Sequence, residues 1–299
     1  MSILVVGSIA LDSVETPSGK AVDSPGGSAL FFSAAASLFA PVKVVGVVGE
    51  DFDFSIIDFL HKRKVDLGGI RVEPGKTFRW GGRYQQNINN RDTLYTHLNV
   101  FESFSPVIPP NYRQCKFVFL ANIDPVLQLQ VLDHMDSPSL TVLDTMNFWI
   151  AGKRQELMEV IHRVDVIILN DEEIKELTGH SQLQPASQKL LQWGPRLLVI
   201  KKGEHGAVLV SAKDYFTAPA YPVNEVVDPT GAGDSFAGGF VGYLATCPRL
   251  TRLNFRKAVA YGSTVASFAV ESFSFNRLRG VSRRQIEQRY QQFQKMTRF

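Results

Sequence analysis

The stretch that most constrains this chain is Asp228-Pro229-Thr230-Gly231-Ala232-Gly233-Asp234-Ser235-Phe236, which runs directly into the apolar segment Ala237 to Leu244. Two glycines and an alanine leave almost no side-chain bulk where a helix should begin, so its free backbone N–H groups can approach an anion closely. The partial positive charge of a helix N-terminus adds to those donors, which makes the turn a seat for phosphate. Asp234 then falls in the first helical turn, beside the seat, where a carboxylate can take a proton from an acceptor hydroxyl. An isolated Gly-x-Gly-Asp also suits an ordinary helix start, with the acid complementing the dipole.

The full nine-residue string resembles the C-terminal signature of the ribokinase-like (PfkB-type) carbohydrate and nucleoside kinases, Asp-Thr/Pro-Thr-Gly-Ala-Gly-Asp-x-Phe. The resemblance implies that Asp234 is the general base and that the amides of Gly231, Ala232 and Gly233 form the anion hole. It implies ATP as phosphoryl donor and Mg²⁺ as its partner. Asp228 and Thr230 match positions near a potassium site that some members use.

Composition fits such an enzyme and removes other classes. With 299 residues and 44% hydrophobic content, the chain can bury a substantial core. Its 32 basic and 29 acidic residues leave a net charge of only +3, which does not imply nucleic-acid binding. Cys115 and Cys247 lack any Cys-x-x-Cys spacing, so neither a disulfide framework nor a zinc site is suggested, and a reducing cytoplasm fits. Ile3 to Val6 reaches glycine after four apolar positions without a basic leader, which reads as a buried strand and not a signal peptide. No apolar run approaches the roughly 18 residues needed to span a bilayer.

Along the chain, short continuous apolar runs at Ile3–Val6, Val42–Val48, Phe117–Leu120, Leu140–Leu143, Val164–Leu169 and Leu197–Ile200 alternate with helix-like segments. This rhythm predicts a mostly parallel sheet with helices on both faces. Two polar islands break it, at about 12–25 and 76–100. Each has a hairpin signal: Pro17-Ser18-Gly19 in the first, and Thr77-Phe78-Arg79-Trp80 followed by Gly81-Gly82 in the second. Together they read as one small inserted sheet, and the resemblance implies a lid over the acceptor, often also a dimer contact. Phe78, Trp80, Tyr84 and Tyr95 are the candidates for its apolar face, or they pack on their own domain. The expected fold is thus one ribokinase-like three-layer α/β/α domain over 1–299 with a small β lid.

Ligands in open sheets of this kind sit at the carboxyl ends of the strands, which singles out polar residues there. Asp12 follows the first strand, either as a loop aspartate or, by the resemblance, as an acceptor-hydroxyl ligand. Gly26, Gly27 and Ser28 open the run Ala29–Phe39; the glycines suit a tight turn, and the resemblance places them against the acceptor. Many family members continue Gly-Gly-x-x-x-Asn, whereas Phe31 or Phe32 stands here, so a polar acceptor contact is missing. Asn122 and Asp124 end the strand at Phe117–Leu120, although Asp124 equally suits the N-cap of a helix begun by Pro125. Asp144-Thr145-Met146-Asn147 resembles an Asp-x-Asn of sugar-kinase relatives with one residue too many.

Asn170 and Glu173 have capping-box spacing, and with Leu177-Thr178-Gly179 they resemble the family's magnesium and phosphate motif. Magnesium prefers oxygen ligands and keeps several waters, so both readings can hold together. Lys201 or Lys202, at the start of Lys201-Lys202-Gly203-Glu204-His205-Gly206, could neutralise phosphate charge or remain solvated. No Walker loop is present, and His205 reads as a surface residue. The resemblance sets the Gly203 region along the nucleotide and Ser263 near its adenine. The C-terminal segment has capping-box spacing at Ser282-Arg283-Arg284-Gln285 and an apolar stripe of Ile286, Tyr290, Phe293 and Met296. Seven basic residues against one acidic between Asn276 and Phe299 give that helix a solvated basic face, or a nucleic-acid patch as the more distant reading.

The expected activity is transfer of the γ-phosphoryl group of MgATP to a hydroxyl of a small sugar-like acceptor. A nucleoside is the alternative acceptor, and a sugar- or nucleotide-sensing protein without catalysis is the alternative outside enzymes.

Overall fold

A computed structural model describes residues 1–85 and 91–297; the asparagine-rich middle of the second polar island, 86–90, and the last two residues, including the basic Arg298, lie outside them. The strands are β1 (Ile3–Val6), β2 (Ala10–Thr16), β3 (Gly19–Gly26), β4 (Val42–Gly49), β5 (Val65–Glu73), β6 (Phe78–Tyr84), β7 (Arg91–His97), β8 (Phe117–Leu120), β9 (Leu140–Asp144), β10 (Val166–Asn170), β11 (Leu197–Lys201), β12 (Ala207–Ser211) and β13 (Asp214–Ala218). Nine of them form one sheet in the order β13-β12-β11-β10-β9-β8-β1-β4-β5, antiparallel only where β12 joins β11 and β13. The other four form the small sheet β3-β2-β6-β7.

Both faces of the large sheet are buried, which explains its continuous apolar runs. Successive residues of a strand point to opposite faces. Ile3, Val5, Phe117, Phe119, Val166 and Ile168 therefore pack on the helices Ser28–Ala36, Ala232–Thr246 and Arg252–Ala269. Leu4, Val6, Val118, Leu120, Ile167 and Leu169 pack on the other side, with the helices Arg154–Arg163, Asp171–Thr178 and Leu183–Gln192. This is the three-layer arrangement read from the sequence.

The parallel register brings the carboxyl ends of β1, β8, β9, β10 and β11 to one edge, with Asn170 beside Lys201 and Asp144 beside Ile168. The chain reverses its direction of travel between β8 and β1, where a crevice opens. The small sheet stands over that edge, because β2 and β3 leave directly after β1, and β6 pairs in parallel with β2.

Four features differ from the sequence reading, the first being Gly81-Gly82, which lies inside β6 and does not turn the chain. Strand β5 carries Gly68-Gly69 inside it, which hides its strand pattern; Gly69 is needed because the Tyr112 ring would lie 2.9 Å from any Cβ there. The aromatic residues of the lid divide between its two faces. Trp80 lies opposite Asp12 in parallel register and folds over Gly82, whereas Tyr95 covers Gly81 on the other face. Finally, the terminal helix Arg283–Met296 does have the capping box at Ser282 and Gln285, and Ile286, Tyr290 and Phe293 are buried, but Met296 is 57% exposed in its last turn.

Candidate active site

The helix Ala232–Thr246 starts at Gly231, whose φ of 71° is left-handed and whose Cβ, if it had one, would meet the Phe31 ring at 2.3 Å. Only glycine fits this position. Phe31 thus serves as the packing wall of the turn, and Phe32 stacks on Phe119 at 4.2 Å. The turn is braced from below by Asp228, which is buried and accepts the amides of Thr230 at 2.8 Å and Ser274 at 3.2 Å.

Asp234 follows in the first turn, partly open to solvent. Burial, the nearby negative charge of Asp144 and then that of Asp12 push its carboxyl up to about 7, against the pull of Lys201. Lys201, the last residue of β11, reaches across to Asp144 at 3.1 Å. Its amine passes so close to Gly233 that a Cβ there would lie 3.0 Å from Nζ. Burial acts to lower the lysine pKa, but Asp144, Glu173 and Asp234 outweigh it and hold the ammonium charged. One half-buried cation therefore stands among three carboxylates at the mouth of the anion seat. Among them Asp144 was the residue that spacing alone did not single out; its signal is a lone acid ending an otherwise apolar strand.

Asn170 caps the next helix: its Oδ1 accepts the amides of Glu172 at 2.9 Å and Glu173 at 2.7 Å, while Glu173 Oε2 accepts the Asn170 amide at 2.7 Å. Glu173 Oε1 takes no hydrogen bond from the described residues. The residue is 6% exposed, and burial raises its carboxyl to about 7 against the pull of Lys201.

Opposite, on β2, Asp12 lies over Gly26, where any Cβ would sit 1.9 Å from its Oδ2, and accepts the Gly27 amide at 3.3 Å. Gly27 has φ 88° and presses against the Ser8 carbonyl, so the turn admits no side chain at either position. Burial pushes the Asp12 carboxyl up to about 7, opposed by the Gly27 amide and aided by Asp228.

Other expected contacts are spent within the protein. The Ser28 amide donates to Ser8 Oγ at 3.1 Å and its hydroxyl accepts the Ser8 amide at 3.2 Å, which fastens the turn instead of facing the acceptor. Asn122 donates to Met146 Sδ at 3.0 Å and accepts from the Trp149 indole at 2.9 Å. Asp124 is the N-cap of the helix Pro125–Asp133 and pairs with Lys153 at 3.6 Å. Ser263 is buried in the helix Arg252–Ala269 and shares none of the hydrogen bonds of the carboxylate cluster. Gly203, exposed with φ 53°, opens the turn that follows Lys201, and His205 is exposed as expected.

Residues 2–277 match the pfkB family carbohydrate kinases. The chain belongs to that family. It is 32% identical over 262 residues to the cytidine kinase of Thermococcus kodakarensis, an overlap that spans 84% of this chain and 93% of the relative. Its fold is that of the Burkholderia thailandensis nucleoside kinase solved with inosine, with a TM-score of 0.78 and 20% identity over 97% of this chain and 98% of the other. It also matches a protein of E. coli described as a ribokinase II, solved with ATP and Mg²⁺, at a TM-score of 0.79 and 22% identity over 97% and 99% of the two chains. The chain is accordingly a kinase, a phosphotransferase with a hydroxyl acceptor. No helix among the described residues is long and apolar enough to cross a membrane.

Proposed function

We propose that this kinase transfers the γ-phosphoryl group of MgATP to a hydroxyl of a nucleoside, with a simple sugar as the second reading. The observation that carries the chemistry is the position of Asp234: in the first turn behind Gly231-Ala232-Gly233, held near neutrality, and within electrostatic reach of Asp12 across the crevice. A base whose pKa lies near the working pH combines a useful ionised fraction with proton affinity. Asp234 takes the acceptor proton, the amides of Gly231 and Gly233 face the charge on the transferring group while that of Ala232 donates to the Pro229 carbonyl at 3.2 Å and fixes the turn, and Lys201 supplies the nearby positive charge. Asp12, fixed by the Gly26-Gly27 turn, accepts a hydrogen bond from an acceptor hydroxyl and orients it.

The donor set near the phosphate suits magnesium. Glu173 Oε1 offers a hard oxygen that would reach a hydrated ion through water, and the ion would neutralise phosphate charge when bound; Asn170, whose Oδ1 already accepts the amides of Glu172 and Glu173, serves by fixing Glu173 through the capping box. Asp228 and Thr230 carry the monovalent-cation reading, but both Asp228 oxygens already accept backbone amides.

The nucleoside reading rests on two supports. One is the 32% identity to a cytidine kinase over most of both chains. The other is the lid face above Asp12, where the Trp80 indole and the Arg91 guanidinium 5.1 Å over its ring supply planar surfaces of the kind a base stacks on. The test is Mg²⁺-dependent ADP production from ATP, screened across pyrimidine and purine nucleosides, pentoses and hexoses. Stimulation by nucleosides is expected, and Asp234→Asn should keep its fold while losing roughly 10²- to 10⁴-fold in turnover. Near-wild-type turnover in that variant would remove Asp234 from the mechanism; stimulation by sugars alone would replace the nucleoside.

A further inference from the structure

We infer that Tyr84 is a positioning residue that carries closure of the lid to the phosphoryl seat. This inference rests on the kinase reading of that seat. Tyr84 ends β6 on the face shared by Trp80 and, across the parallel pairing, by Asp12. It is 9% exposed, and its phenolic oxygen accepts a hydrogen bond from the Thr230 hydroxyl at 3.2 Å. Thr230 immediately precedes Gly231, the left-handed residue from which the seat amides unfold.

The contact belongs to a wider seam. The Thr16 hydroxyl at the end of β2 donates to the Val227 carbonyl at 2.8 Å, and the Ser274 hydroxyl donates to the Pro25 carbonyl of β3 at 2.5 Å. Ser274 also gives its amide to Asp228, whose other oxygen holds the Thr230 amide. The segment 227–230 is thereby suspended between the lid and Asp228. Of the ties that come from the lid among the described residues, only that of Tyr84 reaches the residue adjoining the seat. A lid drawn down on an acceptor by Asp12 and Trp80 moves Tyr84 with it, because β2 and β6 are hydrogen-bonded neighbours. The phenol then fixes Thr230, and Thr230 fixes the path of Gly231. The contact stands in this structure, so the seat is held wherever the lid is down, and an acceptor that keeps the lid down keeps the seat formed, which favours phosphoryl transfer to the acceptor over transfer to water.

Removing one neutral hydrogen bond of this kind should lower kcat about 3- to 10-fold. In Tyr84→Phe, kcat is expected to fall by that factor with the acceptor KM within about twofold, and acceptor-independent ATP hydrolysis should rise as a share of total turnover. In a Thr230→Val background, Tyr84→Phe should cost little more, since the partner hydroxyl is already gone. A Tyr84→Phe change that raises the acceptor KM alone, or that costs as much in the Thr230→Val background as in wild type, overturns the inference. Amide hydrogen exchange supplies a readout independent of turnover. Tyr84→Phe should speed exchange in 229–233 while leaving the helix Arg252–Ala269 as in wild type; unchanged exchange in 229–233 also overturns it. If no acceptor stimulates the wild type, the kinase reading fails, and the exchange comparison still decides the role of Tyr84.

Discussion

At the scale of single residues, the site is governed by Lys201. Its ammonium is the side chain that opposes the rise of Asp234, and it also opposes that of Glu173. Replacing it by methionine removes that opposition, so the Asp234 carboxyl should rise further. A base must be deprotonated to work, so activity is lost as pH falls through its pKa. Wild-type kcat/KM should therefore decline below about pH 7, and in Lys201→Met this acidic limb should move to higher pH, together with a lower plateau from the lost charge beside the phosphate. A pH–rate profile of both proteins checks this; an acidic limb at the same pH in the two would mean that Lys201 does not act on the base. Much at this scale was legible in the sequence. Asp234, Gly231 and Gly233 lie in a contiguous string whose meaning is local: a turn, a helix start, an acid in the first turn. Asp12 was placed by the end of β1, although it lies inside β2. What stayed hidden was pairing between distant segments. Nothing in the spacing joins Asp144 to Lys201, 57 positions apart, or Tyr84 to Thr230, because those meetings are made by the sheet register and the lid. For the same reason Asn122 and Asp124, correctly placed at a strand end, turned out to spend their polar atoms on neighbouring helices.

At the scale of elements, the two helices that open at the site, Ser28–Ala36 and Ala232–Thr246, are held unusually close. A Cβ on Gly238 would lie 2.5 Å from the Phe32 carbonyl and 2.7 Å from the Ala35 methyl, and one on Gly242 would crowd Ala36. The obstacles include backbone, which cannot rotate aside. Both helices begin at glycine turns of the site, so spreading them tilts the Gly26-Gly27 turn away from the Gly231 turn. Gly238→Ala gains about 1 kcal/mol in helix propensity but meets overpacking of about 1–3 kcal/mol. A net loss of stability is expected, accompanied by lower kcat. Gly152→Ala is the control, because nothing lies within 4 Å of a Cβ there, and it should leave both quantities nearly unchanged. Thermal melts and turnover of the two variants decide the matter; a Gly238→Ala protein as stable and active as the control would mean the helix spacing is not limiting. The glycines at 238 and 242 explain how closely these two helices approach, which the spacing of the sequence does not reveal because their partners, Phe32, Ala35 and Ala36, lie far from them in the chain. Strand β5 was missed because Gly68 and Gly69 broke its pattern, at Gly69 for a reason that lies elsewhere in the chain, the Val44 carbonyl of β4 and the Tyr112 ring.

At the scale of the whole molecule, the active edge is a stability cost concentrated in one place. Asp12, Glu173 and Asp234 each have carboxyls raised to about 7 in the fold, from ordinary values near 4, chiefly by burial. A group with a raised folded pKa binds its proton more tightly folded than unfolded. Its stabilising effect is complete below the unfolded pKa and disappears as pH rises through the folded one. Across the window from about pH 4 to pH 7, these groups should therefore make the ligand-free protein less stable as pH increases. The carboxylates with lowered values, Glu15, Asp51, Asp53 and Asp214, act in the opposite sense but only below their ordinary pKa, outside this window. The melting temperature of the apo protein should fall between pH 5.5 and pH 8, and Glu173→Gln, which cannot ionise, should flatten that fall. A nucleotide–magnesium complex should reverse the trend: cationic charge near Glu173 favours the ionised carboxylate, so the ligand-induced rise in melting temperature should be larger at pH 8 than at pH 5.5. A melting temperature that climbs steadily from pH 5.5 to pH 8 without ligand would mean that these carboxyls are already ionised in the empty fold, and that the near-neutral base on which the catalytic reading depends is absent.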